Sequence, residues 1–286
     1  MKIINSSKYI LLILLCGILF PDLLLAQLRL PQPSPKCILE QTVGLTVIKV
    51  EYSRPGVKSR KIFGELVPYN QFWRTGANAA TNISFSTEVS FGGKTIPAGE
   101  YALFTIPGPN EWIIIFNSNE GQKGSVNYKE ALDVLRIQAK SEPCDFTERF
   151  EIEINPIDDQ EGELVLRWEK TKVSTRFKVN TLDAARQNIE EFSKSSSSLW
   201  YDLASASKYA LENNIAQDKI LDMIDKSLLL KEHFFNKYVK AIILHRKGLI
   251  QQARQLMKEA KEWGEKNPSS FYDVYKVEID KYLKEW

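Results

Sequence analysis

Apolar residues along this chain recur in two rhythms, and the change between them falls near residue 180. From Ile38 to about Val179 they alternate with polar residues, the signature of half-buried strands. Val43, Leu45 and Val47, with the KVEY that follows, predict one strand. Asn82 to Phe91, NISFSTEVSF, predicts another, and Gly92-Gly93 behind it predicts a tight hairpin. EYALFTI (100–106) is bounded by Gly99 and Pro107, and WIIIF (112–116) is closed by Asn117. Phe150, Ile152 and Ile154 alternate with glutamates, as do Leu164, Leu166 and Trp168 with their polar neighbours, and Arg176 to Val179 completes the series. A long loop is expected from Ser118 to Lys129. Many short strands separated by turn signals predict an antiparallel β-sandwich, jelly-roll-like, over 38–180.

Beyond Thr181 the apolar spacing becomes helical. Leu182 to Phe192 predicts a helix, and four serines at 195–198 predict a linker, so 181–198 is a helix and Ser-rich connection. Residues 199–286 then predict five amphipathic helices. Four are anchored on Trp200 and Leu203, Ile220 and Met223, Phe234 and Tyr238, and Ile250 and Trp263, and the fifth starts near Ser270. Gly248 and Asn267-Pro268 read as stops. Ala241, Gly248, Ala253, Met257 and Ala260 are similar in spacing to a tetratricopeptide repeat, about one repeat in extent. Two helical hairpins bury little core alone, so this part is expected to dock on the β unit or on a protein partner. The fold class is α+β multidomain: the sandwich followed by an all-α helical-hairpin repeat domain.

The first 26 residues change the address. Lys2 and Lys8 precede the apolar run Ile10 to Phe20, extended by Leu23 to Leu25, with Ala26 before the expected cut. This reads as a signal peptide, and Pro21 and Asp22 interrupt the run before it reaches membrane-spanning length. An uncleaved anchor is the alternative. Cys16 lies mid-run after Leu15 and does not read as a lipid attachment site. Residues 27–37, with Pro31, Pro33 and Pro35, form an extended leader. Without the signal the chain is close to electrically neutral, which leaves no nucleic-acid footprint. An exported location, periplasmic or extracellular, permits a disulfide between Cys37 and Cys144, and two separate thiols are the alternative.

Candidate chemistry narrows by elimination. The two histidines, His233 and His245, both lie in the helical part, twelve residues apart. Histidine-dependent nucleophilic catalysis and a histidine-rich metal site are therefore not expected in the β unit. No catalytic residue, metal site or cofactor is assigned. Glu51, Glu65, Glu88, Glu100 and Glu111 could supply an acid and a base, but nothing in the sequence pairs any two. The Gly121 to Gly124 stretch lacks the lysine and hydroxyl placement of a phosphate loop.

The densest chemistry is YSRPGVKSRKIFGELVPYNQFWRTGAN, Tyr52 to Asn78. Guanidinium groups grip anions and hydroxyls, and aromatic faces stack on sugars. Arg54, Arg60, Trp73, Arg74 and Asn78 are the candidate binding residues for a small anionic or carbohydrate-like ligand. The competing reading is architectural: arginines in buried loops satisfy orphan carbonyls, with Glu65 or Asp133 as carboxylate partners.

The same block resembles the hallmark of the domain of unknown function 2911 family, secreted proteins found mainly in the Bacteroidota. IPAGEYALFTIP, EWIIIFN, Tyr128 with ALDVLRI (carrying Asp133 and Arg136) and LVLRWEK resemble its later segments. The loop from Gly121 to Val126 departs by lacking an aromatic before Gly124. The resemblance implies an exported β domain followed by helical repeats and carries no activity. The reading is a binding module. Its alternatives are an exported carboxylate-dependent enzyme acting on a glycan, or a protein-interaction scaffold that uses the helices.

Overall fold

The computed structural model describes residues 30–118, 128–194 and 199–286. The export signal read at 1–26, the loop over 119–127 with its Gly121 to Val126 departure, and the serines 195–198 lie outside the described residues.

Nine strands form one antiparallel sheet: β1 (Lys36–Val43), β2 (Thr46–Ser53), β3 (Thr81–Phe85), β4 (Val89–Phe91), β5 (Lys94–Ile96), β6 (Gly99–Ile106), β7 (Glu111–Asn117), β8 (Asp133–Pro156) and β9 (Glu161–Val179). Their order is β1-β2-β3-β6-β7-β8-β9-β4-β5. β8 turns the corner. Asp133 to Lys140 pairs with β7, and Ser141 to Pro156 pairs with β9 across bulges near Pro143, Thr147 and Glu151. Bulges bend a strand and increase its twist, and two long bent strands fold the sheet over on itself. Rings far apart in strand order therefore meet: Phe91 of β4 lies 5.0 Å from Phe116 of β7, and Tyr52 of β2 lies 5.8 Å from Phe150 of β8. The enclosed core takes alternate residues from every layer, for example Ile48, Val50 and Tyr52 of β2 with Ile152, Leu164 and Leu166 of β8 and β9.

Four details differ from the sequence reading. Val43 to Tyr52 is a hairpin and not one strand, because Gly44 turns at φ +57°. Asn82 to Phe91 alternates throughout but breaks at Ser86 to Glu88, and its halves join distant parts of the sheet. Alternation reports which face a residue takes and is silent about a corner. The leader is shorter than read, because β1 opens at Lys36. β8 begins well before its predicted part because its middle, KSEPCDFTER, is mostly half-exposed or exposed and shows no clean alternation.

Among the described residues six helices follow: α1 (Thr181–Lys194), α2 (Trp200–Glu212), α3 (Ile220–Leu230), α4 (Phe234–Arg246), α5 (Ile250–Lys266) and α6 (Ser270–Glu285). Their shared core includes Leu203, Met223, Phe234, Tyr238, Met257 and Ile279. Ala241, Ala253, Met257 and Ala260 are fully buried, and Gly248 makes the turn after α4 at φ +80°. β9 passes into α1 through Thr181, whose hydroxyl donates to the Asp159 carbonyl. The Gly44 turn presses against the same pair, so any Cβ at Gly44 would collide with the Thr181 side chain and the Asp159 carbonyl. The left-handed φ and this contact predict that Gly44→Ala lowers stability by about 2–4 kcal/mol, read from urea unfolding.

His233 caps α4. Its Nδ1 accepts from the Phe235 N–H at 3.2 Å, while the Asn236 side chain accepts from the His233 N–H at 3.1 Å. Trp200, Phe234 and Trp263 surround the ring, with centroids 4.3–4.6 Å away. Burial, with Lys231 nearby, pushes its pKa down to about 4 from an ordinary 6.5. A depressed pKa means that the folded state binds the proton less well than the unfolded chain. The stabilisation is complete above pH 6.5 and is lost as pH falls toward 4. Unfolding free energy should therefore drop across that window. His233→Asn, which keeps a capping acceptor without a titrating ring, should show a shallower drop.

Candidate functional site

The arginine-aromatic block leaves β2 at Ser53 and runs back along β8. Gly56 bridges to Arg149, the Val57 N–H donates to the Glu148 carbonyl at 2.7 Å, and the Phe150 N–H donates to the Pro55 carbonyl at 2.9 Å. The block thus pairs with β8 where its pairing to β9 is interrupted by bulges. Arg54 secures this junction. Its Nε donates to the Phe150 carbonyl and its terminal nitrogen pairs with Glu151, both at 3.0 Å. Arg60 folds back on its own loop, donating to the carbonyls of Val57 at 3.0 Å and Gly56 at 2.6 Å.

Trp73 is bridged to Thr105 of β6 and sends its ring into the core. The ring centroid lies 5.1 Å from Phe150, 5.8 Å from Trp168, and 6.1 Å from both Phe63 and Trp112. Its Nε1 donates to the Gly76 carbonyl at 3.1 Å. Asn78 reaches the Ser34 carbonyl at 3.3 Å and the Ser53 hydroxyl at 3.2 Å, and the Arg54 N–H holds the Pro35 carbonyl at 2.9 Å. Asn78 and the Arg54 main chain therefore tie down the leader. The carboxylate partners anticipated for this block lie elsewhere: Glu65 pairs with Lys61 and Asp133 with Arg136, while Arg54 uses Glu151.

Arg74 behaves differently. Side chains alternate across a strand, so with Trp73 facing inward, Phe72 and Arg74 leave on the outer face. The contacts of Phe72 agree: its ring lies 4.5 Å from Phe104 and 3.9 Å from Tyr128, over the outer side of the sheet. Arg74 Nε is buried and has no hydrogen-bond partner. On the same face Asn82 Oδ1 is also buried and unpartnered. Asn82 lies between Glu51 of β2 and Ala102 of β6. With Lys49, Glu51, Ser84 and Glu100 it lines a shallow concavity of about 100 Å³. Glu51 is drawn to Lys36 at 2.5 Å.

A second polar group flanks the same outer surface. Asp133 accepts from the Tyr128 hydroxyl at 2.6 Å, from Arg136 Nε at 2.6 Å and from Asn117 Nδ2 at 2.7 Å. Arg136 also donates to the Tyr128 hydroxyl at 2.6 Å and meets Glu130 at 3.1 Å. Tyr128 closes the aromatic stack on Phe72 and Phe104. Burial and the Asp133 hydrogen bond push the Tyr128 hydroxyl up to about 12.

Residue-by-residue reasoning on the sequence missed Asn82, Ser84 and Lys49, because an outward polar residue in an alternating strand looks like ordinary solvated surface. Asp133 was readable as a carboxylate partner but was paired with the wrong arginines, and Arg136 and Tyr128 were visible only as parts of a motif. Cys37 and Cys144 are free thiols. Cys37 stands opposite Tyr52 in β1, and burial pushes the Cys144 thiol up. Both histidines lie on α4 or its cap. Among the described residues no three histidine, cysteine, aspartate or glutamate side chains gather as a metal site.

Asp133→Asn removes the charge that holds Tyr128 protonated and keeps the shape. The Tyr128 hydroxyl should then titrate below its parent value of about 12, followed by ¹³C-tyrosine NMR. Stability should fall by about 1–3 kcal/mol as Arg136 loses its partly buried partner.

No curated protein and no solved structure matches the chain. Comparison with known protein families matches residues 34–177, which span β1 to nearly the end of β9 and contain the whole arginine-aromatic block. The chain belongs to that family, described as protein of unknown function (DUF2911).

Proposed function

We propose that the β unit is an exported binding module for a hydroxyl-rich, carbohydrate-like ligand, held on the outer face of the sheet by Arg74 and Asn82. The observation that carries this reading is the pair of unpartnered buried atoms, a donor on Arg74 and an acceptor on Asn82. Each costs about 1–3 kcal/mol while unpaired, a cost that a folded protein retains most readily at a functional site. A hydroxyl both donates and accepts, so a polyol suits an unpaired donor and an unpaired acceptor alike. An anion would satisfy Arg74 alone and would meet the carboxylates of Glu51 and Glu100. Phe72 and Tyr128 supply an aromatic surface of the kind sugars stack on. Arg54, Arg60, Trp73 and Asn78 support the site from behind by closing the β unit. Export rests on the basic and apolar pattern of residues 1–26.

The test is thermal unfolding of the mature protein with neutral hexasaccharides (cello-, xylo- and chito-series) and with chondroitin sulfate. A ligand at one hundred times its Kd adds about 2.7 kcal/mol, so binding raises Tm measurably. A neutral oligosaccharide should raise Tm, and Asn82→Ala and Arg74→Met should each reduce the shift. The reading fails if no neutral sugar raises Tm, or if the shift survives in both variants.

Glu51 and Glu100 favour a second reading, because both line one concavity and a glycan hydrolase needs two carboxyls flanking its substrate. On that reading the hexasaccharides release new reducing ends, and Glu100→Gln stops this without lowering Tm. Intact sugars after prolonged incubation would exclude it.

A further inference from the structure

A second concavity lies where the two units meet. The β1–β2 turn on one side and α1 and α2 on the other border an open cleft of about 400 Å³, within the range of roughly 300–1,000 Å³ common to small-molecule sites. Leu45, Ala185, Ile189 and Ala206 make its exposed walls mostly apolar, and Asp159, Thr181, Asn188, Ser205 and Tyr209 supply the polar groups. Ser205 Oγ is buried and has no hydrogen-bond partner. Its neighbour Ser207 shows the usual solution on the same helix, donating to the Leu203 carbonyl one turn back at 2.8 Å.

The space is maintained by small residues. Ala185 and Ala206 stand where larger apolar side chains would fill the gap and gain burial, whereas a side chain at Gly44 would collide with Thr181 and the Asp159 carbonyl. One wall is firmly seated, because the Gly44 turn, Asp159 and Thr181 are locked together. The leader is a poor occupant. It departs from the Lys36 end of β1, and eight residues of strand at about 3.4 Å each separate that end from the Gly44 turn.

From these features we infer that the inter-unit cleft binds a small neutral amphiphile, with its apolar body between Leu45, Ala185, Ile189 and Ala206 and an acceptor on its polar head taking the Ser205 hydroxyl. The head is neutral because an ammonium has no lone pair to accept from Ser205, and Asp159 on the rim repels an anion. Its carboxylate is close enough to Tyr209 to add to the burial that raises the pKa of that hydroxyl. A carboxylate head would be repelled there. This site is separate from the outer-face site and does not depend on it.

The experiment titrates 1-decanol into full-length mature protein labelled with ¹³C at alanine methyls. The Ala185 and Ala206 signals should shift saturably, while Ala80 and Ala102 on the distant side of the β unit stay in place. Ser205→Ala should weaken binding about five- to tenfold, the loss of one hydrogen bond. Ala206→Phe, which fills the cleft, should abolish binding without lowering Tm. Sodium decanoate at pH 8 should bind at least tenfold more weakly than the alcohol. The inference is overturned if neither alanine signal shifts up to the solubility limit, if Ser205→Ala binds decanol as tightly as the parent, or if decanoate binds equally well. If Ala206→Phe does not fold, the serine variant and the decanoate comparison still decide.

Discussion

The rest of this molecule depends on the closure of a bent sheet around one aromatic cluster. A nine-stranded antiparallel ribbon gains little until its two halves meet, because each half buries only one face alone. Trp73 is where they meet. Its ring touches Phe63 from the same loop, Trp112 from β7, Phe150 from β8 and Trp168 from β9. Aromatic rings of this size contribute large buried areas, and edge-to-face pairs add about 0.5–1.5 kcal/mol each beyond that burial. Trp73 arrives through a loop and not through a regular strand, so that loop must be held from outside the cluster. Arg54, Arg60 and Asn78 hold it, by donating to carbonyls of β8, of the block itself and of the leader.

The division of labour within the block follows from which way each side chain points. Residues that face the core or lie along the β8 edge are consumed by closure. Arg74 faces outward on a surface already lined by Phe72, Phe104 and Tyr128, and its Nε finds nothing to donate to. Asn82, two strands from the sheet edge, repeats the pattern with an acceptor. Asp133 shows the opposite state on the same face, a carboxylate with three donors around it. This contrast between a saturated network and two unsaturated atoms is what the binding proposal rests on.

Much of the architecture was legible because it follows from period alone. The β-to-α change near Thr181, the Gly92-Gly93 hairpin and all five helices after Trp200 follow from apolar spacing and stop residues. What was not legible has a common physical cause. The Gly44 turn, the break at Ser86 to Glu88 and the long bent course of β8 are corners, and alternation runs through a corner unchanged or dies out in its polar stretch. For the site, the types of residue in the block were readable and their orientation was not. Arg54 and Arg74 have the same chemistry in sequence, and only the register of Trp73 against Thr105 separates the one turned to β8 from the one turned outward.

The central claim is therefore that one arginine of the block is architecture and another is held open. Urea unfolding of Arg54→Met and Arg74→Met beside the parent measures this most directly. The account predicts that Arg54→Met loses about 1–3 kcal/mol, because the Phe150 carbonyl and Glu151 lose their donor. It predicts that Arg74→Met is as stable as the parent or more so, since the substitution removes an unpaired buried donor and keeps the aliphatic packing. A large loss in Arg74→Met with little change in Arg54→Met would contradict the account and make the outer face a structural element rather than a binding surface.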